Sequence, residues 1–252
     1  MPSNRFTSVT SRVKSNPLAT RYVAPGKLPW QASRDQSLGG LLRRYQDQLR
    51  WRATIVGPHG SGKSTLLEHL APMIGPVALK RSVVDQSAMS VDCKVDPSLI
   101  AAWLSSDQAT SVVWLQMRGR RESSKLLCKT SSQWARPDRV LIIDGYEQLS
   151  HFRRAWVALT TLRSSRGLLV TSHRSTCLPT LVRTQVDASL AMRLLDQLLP
   201  QDQPQRSELL DAGRLEQLLV KHRGNLRELF MELFDEVQDV SRRDENLPSA
   251  CE

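Results

Sequence analysis

The chain has 252 residues, of which 40% are apolar and 24% are charged, and its formal net charge is +10. This length suits one α/β domain with a small additional unit. No run approaches the ~20 apolar residues of a membrane span. The first residues also lack the apolar core of a secretory signal. Four dispersed cysteines and five dispersed histidines argue against a disulfide framework or a zinc site, so we expect a reduced, cytoplasmic protein without membrane attachment.

The charge is distributed unevenly along the chain. Residues 1–60 hold ten Lys and Arg against two Asp and Glu, whereas residues 200–252 hold seven against twelve. We favour a solvated arginine-rich surface, because there is no dense basic tract and no pattern of stacking aromatics, but a nucleic-acid partner stays open. A second possibility is that the basic arm packs on the acidic C-terminal region. Residues 1–36 are predicted to be an extended or partly disordered basic arm, of which "NPLATRYVAPGKLPW" is apolar and aromatic enough to dock on the domain.

The predicted core, residues 37–186, begins with a helix over 38–49 and a short buried strand in "RATIVG" that ends at Gly57. A second helix follows in "STLLEHLAPM", with Pro72 and Gly75 marking its end. The apolar face of the first helix consists of Leu38, Leu41, Leu42, Tyr45 and Leu49, and that of the second of Leu66, Leu67, Leu70 and Met73.

Between this strand and the second helix lies "GPHGSGKST", which fits the pattern G-x-x-x-x-G-K-[ST]. Glycines at this spacing let successive N–H groups point into one hollow that suits a polyphosphate, and the following helix adds roughly half a positive charge. In this pattern Lys63 would reach the β- and γ-phosphates, and Ser64 would place its hydroxyl on Mg²⁺. The predicted nucleotide-binding loop consists of Gly57, Pro58, His59, Gly60, Ser61, Gly62, Lys63, Ser64 and Thr65.

Strands and helices alternate over the next hundred residues, which predicts a parallel sheet with both faces covered. A short helix in "DPSLIAAWLSS" would have Asp96 as its N-cap and Pro97 at its first position. The predicted strands are 76–84, 110–117, 139–145 and 167–173, and the other predicted helices are 121–134 and 146–166.

Two acidic residues follow the strand "RVLIIDG". Asp144 stands directly after four apolar residues, as in a Walker B motif, and would orient a Mg²⁺-bound water beside Ser64. Many ATPases carry Glu immediately after this Asp, but here that position is Gly145. We expect Glu147 to orient the attacking water instead, because phosphoryl transfer depends mostly on positioning and electrostatics. The alternative is that Glu147 only stabilises the first turn of the following helix.

The strand "GLLVTSH" ends in polar residues beside the predicted Walker B strand. Thr171 or Ser172 is expected to hydrogen-bond the γ-phosphate or the attacking water. Arg174 is a weaker candidate for a contact with this subunit's nucleotide or a neighbour's. Ordinary strand-end polarity is the alternative for Thr171 and Ser172.

From Asp187 onward the pattern is helical, and residues 187–240 are predicted to be a small helical lid subdomain, followed by a disordered tail over 241–252. Its last helix would begin after Asn225 as N-cap, with Glu228 completing a capping box. We expect Arg227, in the first turn, to contact the β- and γ-phosphates and so report the nucleotide's state; a solvent-facing arginine is the alternative. The apolar stripe of this helix consists of Leu226, Leu229, Phe230, Leu233, Phe234 and Val237.

Taken in order, these segments resemble those of the AAA+ and STAND groups of P-loop ATPases over residues 50–240. "GPHGSGKST" is similar to their Walker A, "LIIDGYEQL" to the Walker B of STAND proteins with Glu147 in an acidic position, "LLVTSHR" to their sensor 1 strand, and "GNLREL" to the sensor 2 segment, which matches Arg227 to the sensor arginine. The resemblance implies an α/β P-loop NTPase core, a parallel sheet with helices on both faces and a C-terminal helical lid, with ATP and Mg²⁺ as ligands and homo-oligomers as an option. The chain departs from the pattern in lacking an Asp-Glu pair and a clear arginine finger.

The leading hypothesis is therefore a Mg²⁺-dependent ATPase that uses nucleotide state to move the lid or control assembly. ATP is preferred over GTP because there is no N-K-x-D segment. A P-loop small-molecule kinase is the first alternative, with "RGRRESSK" (118–125) as an arginine-rich mobile lid. A nucleotide-binding switch with little turnover is the second, and the absence of Glu directly after Asp144 is its best support.

Overall fold

The computed structural model describes residues 16–19, 23, 27–31, 37–82, 111–201 and 206–245. These residues form an α/β fold whose six strands make one sheet, all of them parallel, with helices around it. The helix predicted over 96–106, and the end of the second predicted strand at residues 83 and 84, lie outside the described residues. The strands are β1 (Arg52–Val56), β2 (Val77–Ser82), β3 (Ser111–Gln116), β4 (Arg139–Asp144), β5 (Gly167–Ser172) and β6 (Thr180–Arg183).

The order of strands across the sheet is β2-β3-β4-β5-β1-β6. β5 therefore lies between β1 and β4, with Val56 paired to Ser172 and Ile143 paired to Val170. Because the strands are parallel, the residues that follow β1, β4 and β5 meet at one edge of the sheet. β6 was not predicted from the sequence; it is a four-residue strand at the edge of the sheet, and among the described strands it pairs with β1 alone.

Helices cover both faces of the sheet, as the alternation predicted. α1 and α2 pack on one face against residues such as Ile142, and α3, α4 and α5 pack on the other against Leu141 and Ile143. All of β5 and nearly all of β4 are buried, as expected for parallel strands that have both faces covered. The helices are α1 (Leu38–Arg43, continued by a π-helical turn over Arg44–Gln48), α2 (Lys63–Ile74), α3 (Arg120–Lys129), α4 (Ser131–Trp134), α5 (His151–Ser164), α6 (Ala188–Leu198), α7 (Arg206–Leu209), α8 (Ala212–Lys221) and α9 (Leu226–Glu245).

Two predicted helices are divided in the structure. Tyr146–Gln148 is a 3-10 turn, and α5 begins only at His151, where the Ser150 hydroxyl accepts a hydrogen bond from the N–H of Arg153. The helix predicted over 121–134 breaks at Thr130, whose hydroxyl donates to the carbonyl of Leu126. In both places a hydroxyl side chain forms a hydrogen bond with a backbone group of the helix: Ser150 at the N-terminus of α5, and Thr130 at the C-terminus of α3.

The second helix, α2, differs from the prediction in its last turn. Pro72 lies inside the helix, which continues to Ile74 and has Gly75 as its C-cap. Met73, predicted to lie on the apolar face, is 44% exposed, whereas Ile74 is buried. The buried stripe is centred between Leu67 and Leu70, which places Met73 at its margin.

The C-terminal helices α6–α9 form a hydrophobic cluster of their own. The predicted N-cap of α9 is confirmed, because the Asn225 side chain accepts hydrogen bonds from the N–H groups of Arg227 and Glu228. The capping box is not completed, because the Asn225 N–H donates to the carbonyl of His222 instead of to Glu228. α9 runs to Glu245, past residue 240, where the sequence placed the beginning of the tail.

Parts of the basic arm pack on both the sheet and the C-terminal cluster. Leu18 is buried in the cluster of α6–α9, and the Asn16 amide donates to the carbonyl of Phe234 at 2.9 Å. The His69 ring donates to the carbonyl of Leu28 at 3.2 Å, and Trp30 packs on the side of the sheet that α2 covers. None of the helices in the described part of the chain has the length and apolar character needed to cross a lipid bilayer.

Candidate functional site

The glycine-rich loop over residues 57–62 joins β1 directly to α2. Gly60 and Gly62 both have left-handed backbones, with φ of +67° and +84°, which glycine adopts without the penalty of a side chain. α2 begins at Lys63, immediately after Gly62. The strand and the helix that the sequence pattern requires therefore flank the loop, and the N-terminus of α2 lies at the carboxyl edge of the sheet.

Thr184, which follows β6, fixes the position of this loop. Its N–H donates to the carbonyl of Val56 at 2.8 Å, and its hydroxyl is hydrogen-bonded to the hydroxyl of Ser61 at 2.6 Å. A Cβ atom on Gly57 would lie 2.0 Å from the Thr184 hydroxyl oxygen and 2.7 Å from its carbonyl oxygen. Gly57 is thus required by the close approach of β6, a contact that the sequence did not predict.

We expect Gly57→Ala to destabilise the protein, because the new methyl group would push the loop away from Thr184. Overpacking of this kind costs about 1–3 kcal/mol, and each kcal/mol lowers Tm by about 2–4 °C in a domain of this size. Thermal unfolding followed by circular dichroism measures the change. Gly213→Ala in α8 is the matched control, since the nearest atom to its Cβ, at 3.5 Å, leaves room, and it is expected to stabilise by roughly 0.5–1 kcal/mol. Equal Tm values for Gly57→Ala and the wild type would contradict this packing.

Lys63 is buried at the start of α2, with its ammonium group folded over the loop. Its Nζ donates to the carbonyls of Gly57 at 2.7 Å and Pro58 at 2.6 Å, and lies 3.3 Å from Nδ1 of His173. The two carbonyls, together with Nδ1 when the His173 ring carries its hydrogen on Nε2, match the three hydrogens of an ammonium group. Burial lowers the pKa of Lys63, and the carboxylates of Glu147 and Asp144 act in the opposite direction.

Asp144, at the end of β4, accepts a hydrogen bond on each carboxylate oxygen. Ser64 donates to Oδ2 at 2.8 Å, and Thr171 donates to Oδ1 at 2.7 Å. The Thr171 hydroxyl in turn accepts the N–H of Gly145 at 2.9 Å. The structure thus brings together the two residues predicted to hold a metal, Ser64 and Asp144, and adds Thr171 as the group that orients the carboxylate.

The donor set of Ser64 and Asp144 fits Mg²⁺. The ion prefers oxygen ligands, keeps several waters, and is commonly held by one or two protein groups together with the phosphates of a substrate. Within the described ranges there is no group of three or more His, Cys, Asp or Glu side chains arranged to hold a metal. A metal bound by protein side chains alone would need such a group of ligands, whereas Mg²⁺ that enters with a nucleotide would not.

The other polar residues predicted at the end of β5 differ in placement. The hydrogen of the Thr171 hydroxyl is directed to Asp144, so it is not available to a phosphate in this arrangement. Ser172 is buried, and its hydroxyl accepts the N–H of Arg174 at 3.3 Å. The side chain of Arg174 is exposed.

Glu147 lies in the 3-10 turn after β4 and contacts His173, a residue for which the sequence pattern predicted no role. Its Oε1 is 2.9 Å from Nε2 of His173, whereas its Oε2 is buried and has no hydrogen-bond partner among the described residues. The ring of His173 also packs against the ring of His59 in the loop, with centroids 3.6 Å apart and ring planes tilted by 38°. The one signal in the sequence was the position of His173, directly after β5 at the carboxyl edge.

The N-terminus of α9 touches the glycine-rich loop. A Cβ on Gly60 would lie 1.8 Å from the Asn225 side-chain oxygen and 3.2 Å from the backbone nitrogen of Arg227. The Arg227 side chain itself is exposed. Trp30 approaches the next glycine, with its ring 3.5 Å from the Cβ position of Gly62. The C-terminal helices and the arm thus both contact this loop.

No protein-family model matches this chain, and a search of curated proteins found no match. What the site can do chemically therefore follows from its own groups. An ammonium, two carboxylates, several hydroxyls and two imidazoles surround a glycine-rich loop at the N-terminus of a helix, an arrangement suited to a multiply charged anion and a hard cation.

Proposed function

We propose that this protein binds ATP with Mg²⁺ and hydrolyses it, as a P-loop NTPase of the AAA+ or STAND type. The observation that carries the proposal is the placement of the Lys63 ammonium and the Ser64–Asp144 pair beside one glycine-rich loop. A cation for phosphate oxygens and an oxygen pair for the metal are the two groups that Mg·ATP requires of a protein.

The phosphate-binding role belongs to the loop and to Lys63. The N-terminus of α2, a helix of 12 residues, contributes free N–H groups and a partial positive charge. Lys63 now donates to carbonyls of its own loop, and we expect it to exchange these for phosphate oxygens, because hydrogen bonds to an ionised acceptor are the stronger ones. Burial favours this exchange, since a low-polarity environment strengthens the attraction between the ammonium group and an anion.

The metal role belongs to Ser64 and Asp144. Bound there, Mg²⁺ would neutralise charge on the β- and γ-phosphates. Thr171 fixes the orientation of the Asp144 carboxylate by donating to one oxygen, which leaves Ser64 on the other. We assign this orienting role to Thr171. Ser172 lies next to it, at the end of β5.

Glu147 is the group proposed to accept a proton from the attacking water. Its Oε1 is held by His173, and its Oε2 is buried without a partner in the described part of the chain. A buried carboxylate oxygen that lacks a hydrogen bond is a strong acceptor for water. Glu147 lies three residues after Asp144 and not directly after it. This is acceptable, because the group that orients the water must be able to reach it but does not need a fixed position in the sequence.

The C-terminal helices α6–α9 are proposed to act as the lid that responds to nucleotide. The N-cap of α9 touches Gly60, so a change in the loop displaces the N-terminus of a 20-residue helix. Arg227 is placed in the first turn of that helix, and we propose that its side chain turns towards the phosphates when ATP binds. An Arg227→Ala protein with wild-type affinity and turnover would remove this residue from the site.

A nucleotide-binding switch with little turnover is the second candidate, and one observation favours it. Glu147 is already engaged by His173, so its carboxylate has one oxygen for water and not two. The same experiment also tests the small-molecule kinase. In that case the exposed arginines at the start of α3 would belong to a mobile lid over the acceptor molecule.

The test compares wild type with Glu147→Gln, using the full chain with Mg·ATP. We expect Glu147→Gln to bind ATP within about threefold of wild type and to hydrolyse it about 10²–10⁴-fold more slowly, because the amide cannot take the proton. Calorimetry measures binding, and phosphate release measures turnover. Glu122→Gln, an exposed glutamate on α3, is the control and should behave as wild type.

The other outcomes of this experiment separate the candidates. ATP binding without turnover in wild type identifies the switch. Phosphate that appears on a small acceptor instead of in solution identifies the kinase. Absence of binding to any nucleoside triphosphate refutes the assignment of the site as a whole.

A further inference from the structure

His173 is the only described residue whose side chain contacts both the Lys63 ammonium and the Glu147 carboxylate. Nδ1 lies 3.3 Å from the Lys63 Nζ and 3.2 Å from the Gly57 carbonyl oxygen, and Nε2 lies 2.9 Å from Glu147 Oε1. The imidazole therefore stands between the group proposed to bind phosphate and the group proposed to activate water.

The hydrogen-bond partners select one form of this imidazole. Lys63 has only hydrogens to offer, and a carboxylate has only lone pairs, so a neutral ring that serves both must accept at Nδ1 and donate from Nε2. The Gly57 carbonyl, 3.2 Å from Nδ1, would accept a hydrogen from Nδ1 in the other tautomer. In the tautomer with hydrogen on Nε2, Lys63 donates to His173 and His173 donates to Glu147, which makes a continuous path.

The charged and titratable groups that face His173 come from three elements. Lys63 lies on α2, Glu147 in the turn after β4, and His59 in the loop, where its ring packs against that of His173. Burial is the main cause that lowers the pKa of His173; Lys63 and His59 also lower it, and Glu147 and the Gly57 carbonyl raise it. The lowered pKa favours the neutral ring, which is the form that the path requires.

We propose that His173 is the positioning residue for Glu147, an inference that rests on the proposed function. Through His173, the position of the Glu147 carboxylate depends on the conformation of the glycine-rich loop. By donating to Oε1, His173 leaves Oε2 as the oxygen that accepts from water. Through Nδ1 and the packed His59 ring, the loop sets the orientation of the imidazole. When Lys63 turns from its carbonyls to a triphosphate, His173 loses its donor at Nδ1, so occupancy of the loop is communicated to Glu147.

Three substitutions at His173 test this role by kinetics. A glutamine can place its amide nitrogen near the Nε2 position and still donate to Glu147, whereas asparagine reaches only the Nδ1 position and alanine reaches neither. We expect His173→Ala and His173→Asn to lower kcat by about 10–100-fold, because a carboxylate misplaced by about 1 Å loses that much. His173→Gln should retain kcat within about threefold, and the Kd for Mg·ATP should change by less than about threefold in all three proteins.

A double substitution isolates the connection to Glu147. In a Glu147→Gln background, His173→Ala is expected to have less than about a threefold effect, since residues that act as one unit are not additive. His151→Ala, an exposed histidine at the start of α5, is the control and should leave kcat unchanged. Additive losses at His173 and Glu147, or a rise in turnover in His173→Ala, would overturn the proposal.

A measurement without turnover keeps the two proposals distinguishable. Nitrogen NMR of the histidine rings in the nucleotide-free protein should show His173 as the neutral tautomer with hydrogen on Nε2, and Glu147→Gln should shift its resonances while leaving those of His222 in place. A hydrogen on Nδ1 would overturn the path from Lys63 to Glu147. Failure of wild type to bind ATP refutes the proposed function, whereas normal binding and turnover with an unaffected His173→Ala refutes only the role of His173.

Discussion

Lys63→Ala is expected to weaken ATP binding by at least about 100-fold, which corresponds to roughly 2.7 kcal/mol. Lys63 is the buried cation of the loop, and charge-assisted hydrogen bonds to phosphate of about 1.5–3 kcal/mol are lost with its ammonium. The fold should survive, because the substitution also removes a charge whose burial is unfavourable, as the lowered pKa of Lys63 indicates. Calorimetric titration with Mg·ATP measures the affinity, and circular dichroism checks the fold.

Lys80→Ala is the matched control for Lys63→Ala. Lys80 is a half-exposed lysine on β2 that pairs with Glu68 at the surface, so its loss should leave the affinity for ATP unchanged. Wild-type affinity in Lys63→Ala would remove the loop from any phosphate-binding role. Equal weakening in both variants would mean that net charge, and not the loop, attracts the nucleotide.

Asp144→Asn is expected to lower turnover by about 10²–10³-fold, since it removes the charge opposite the metal and electrostatic groups of this kind contribute that much. The Mg²⁺ concentration needed for half-maximal activity should rise, because a neutral amide is a weaker ligand for a hard cation. Stability should fall as well, by about 1–3 kcal/mol. The amide nitrogen cannot accept a hydrogen bond, so either Ser64 or Thr171 loses its acceptor.

Titration of Mg²⁺ at fixed ATP separates the effect on the metal from the effect on stability. Asp138→Asn is the control, because Asp138 is partly exposed at the opposite end of β4, where its ion-pair partners among the described residues are Arg136 and Arg139. An Asp144→Asn protein with an unchanged Mg²⁺ requirement would show that Asp144 does not hold the ion. In that case its contacts with Ser64 and Thr171 would be structural.

The sequence predicted the features that local pattern controls. Buried strands such as β4 and β5 read as continuous apolar runs, and a polar residue such as Asp144 marks where such a strand ends. The α9 cap at Asn225 is local in the same sense, since its partners lie two and three residues away. The meeting of Ser64 with Asp144 follows from the parallel topology that these runs imply.

Other features depend on approaches between distant segments, which local pattern does not contain. β6 is too short to show a period, and only its pairing with β1 makes it a strand. Thr184 matters because it touches Gly57, and His173 because it touches Glu147. The start of α5 is different, because it was predictable from local sequence: serine is a preferred N-cap residue, and Ser150 caps this helix. The strong helical pattern of the following residues led instead to the prediction of one longer helix.

The contacts of Asn16 with α9 and of Leu18 with the cluster of α6–α9 have a consequence for how the chain folds during synthesis. The hydrogen bond from Asn16 to Phe234 joins residues 218 positions apart, so the segment around Asn16 reaches its site only after α9 has been made. Contacts of such long range form late and slow the approach to the native state. Leu18 lies in the cluster formed by α6–α9, so its apolar side chain stays uncovered until these helices are made, and intermediates that expose such side chains are prone to misassociation.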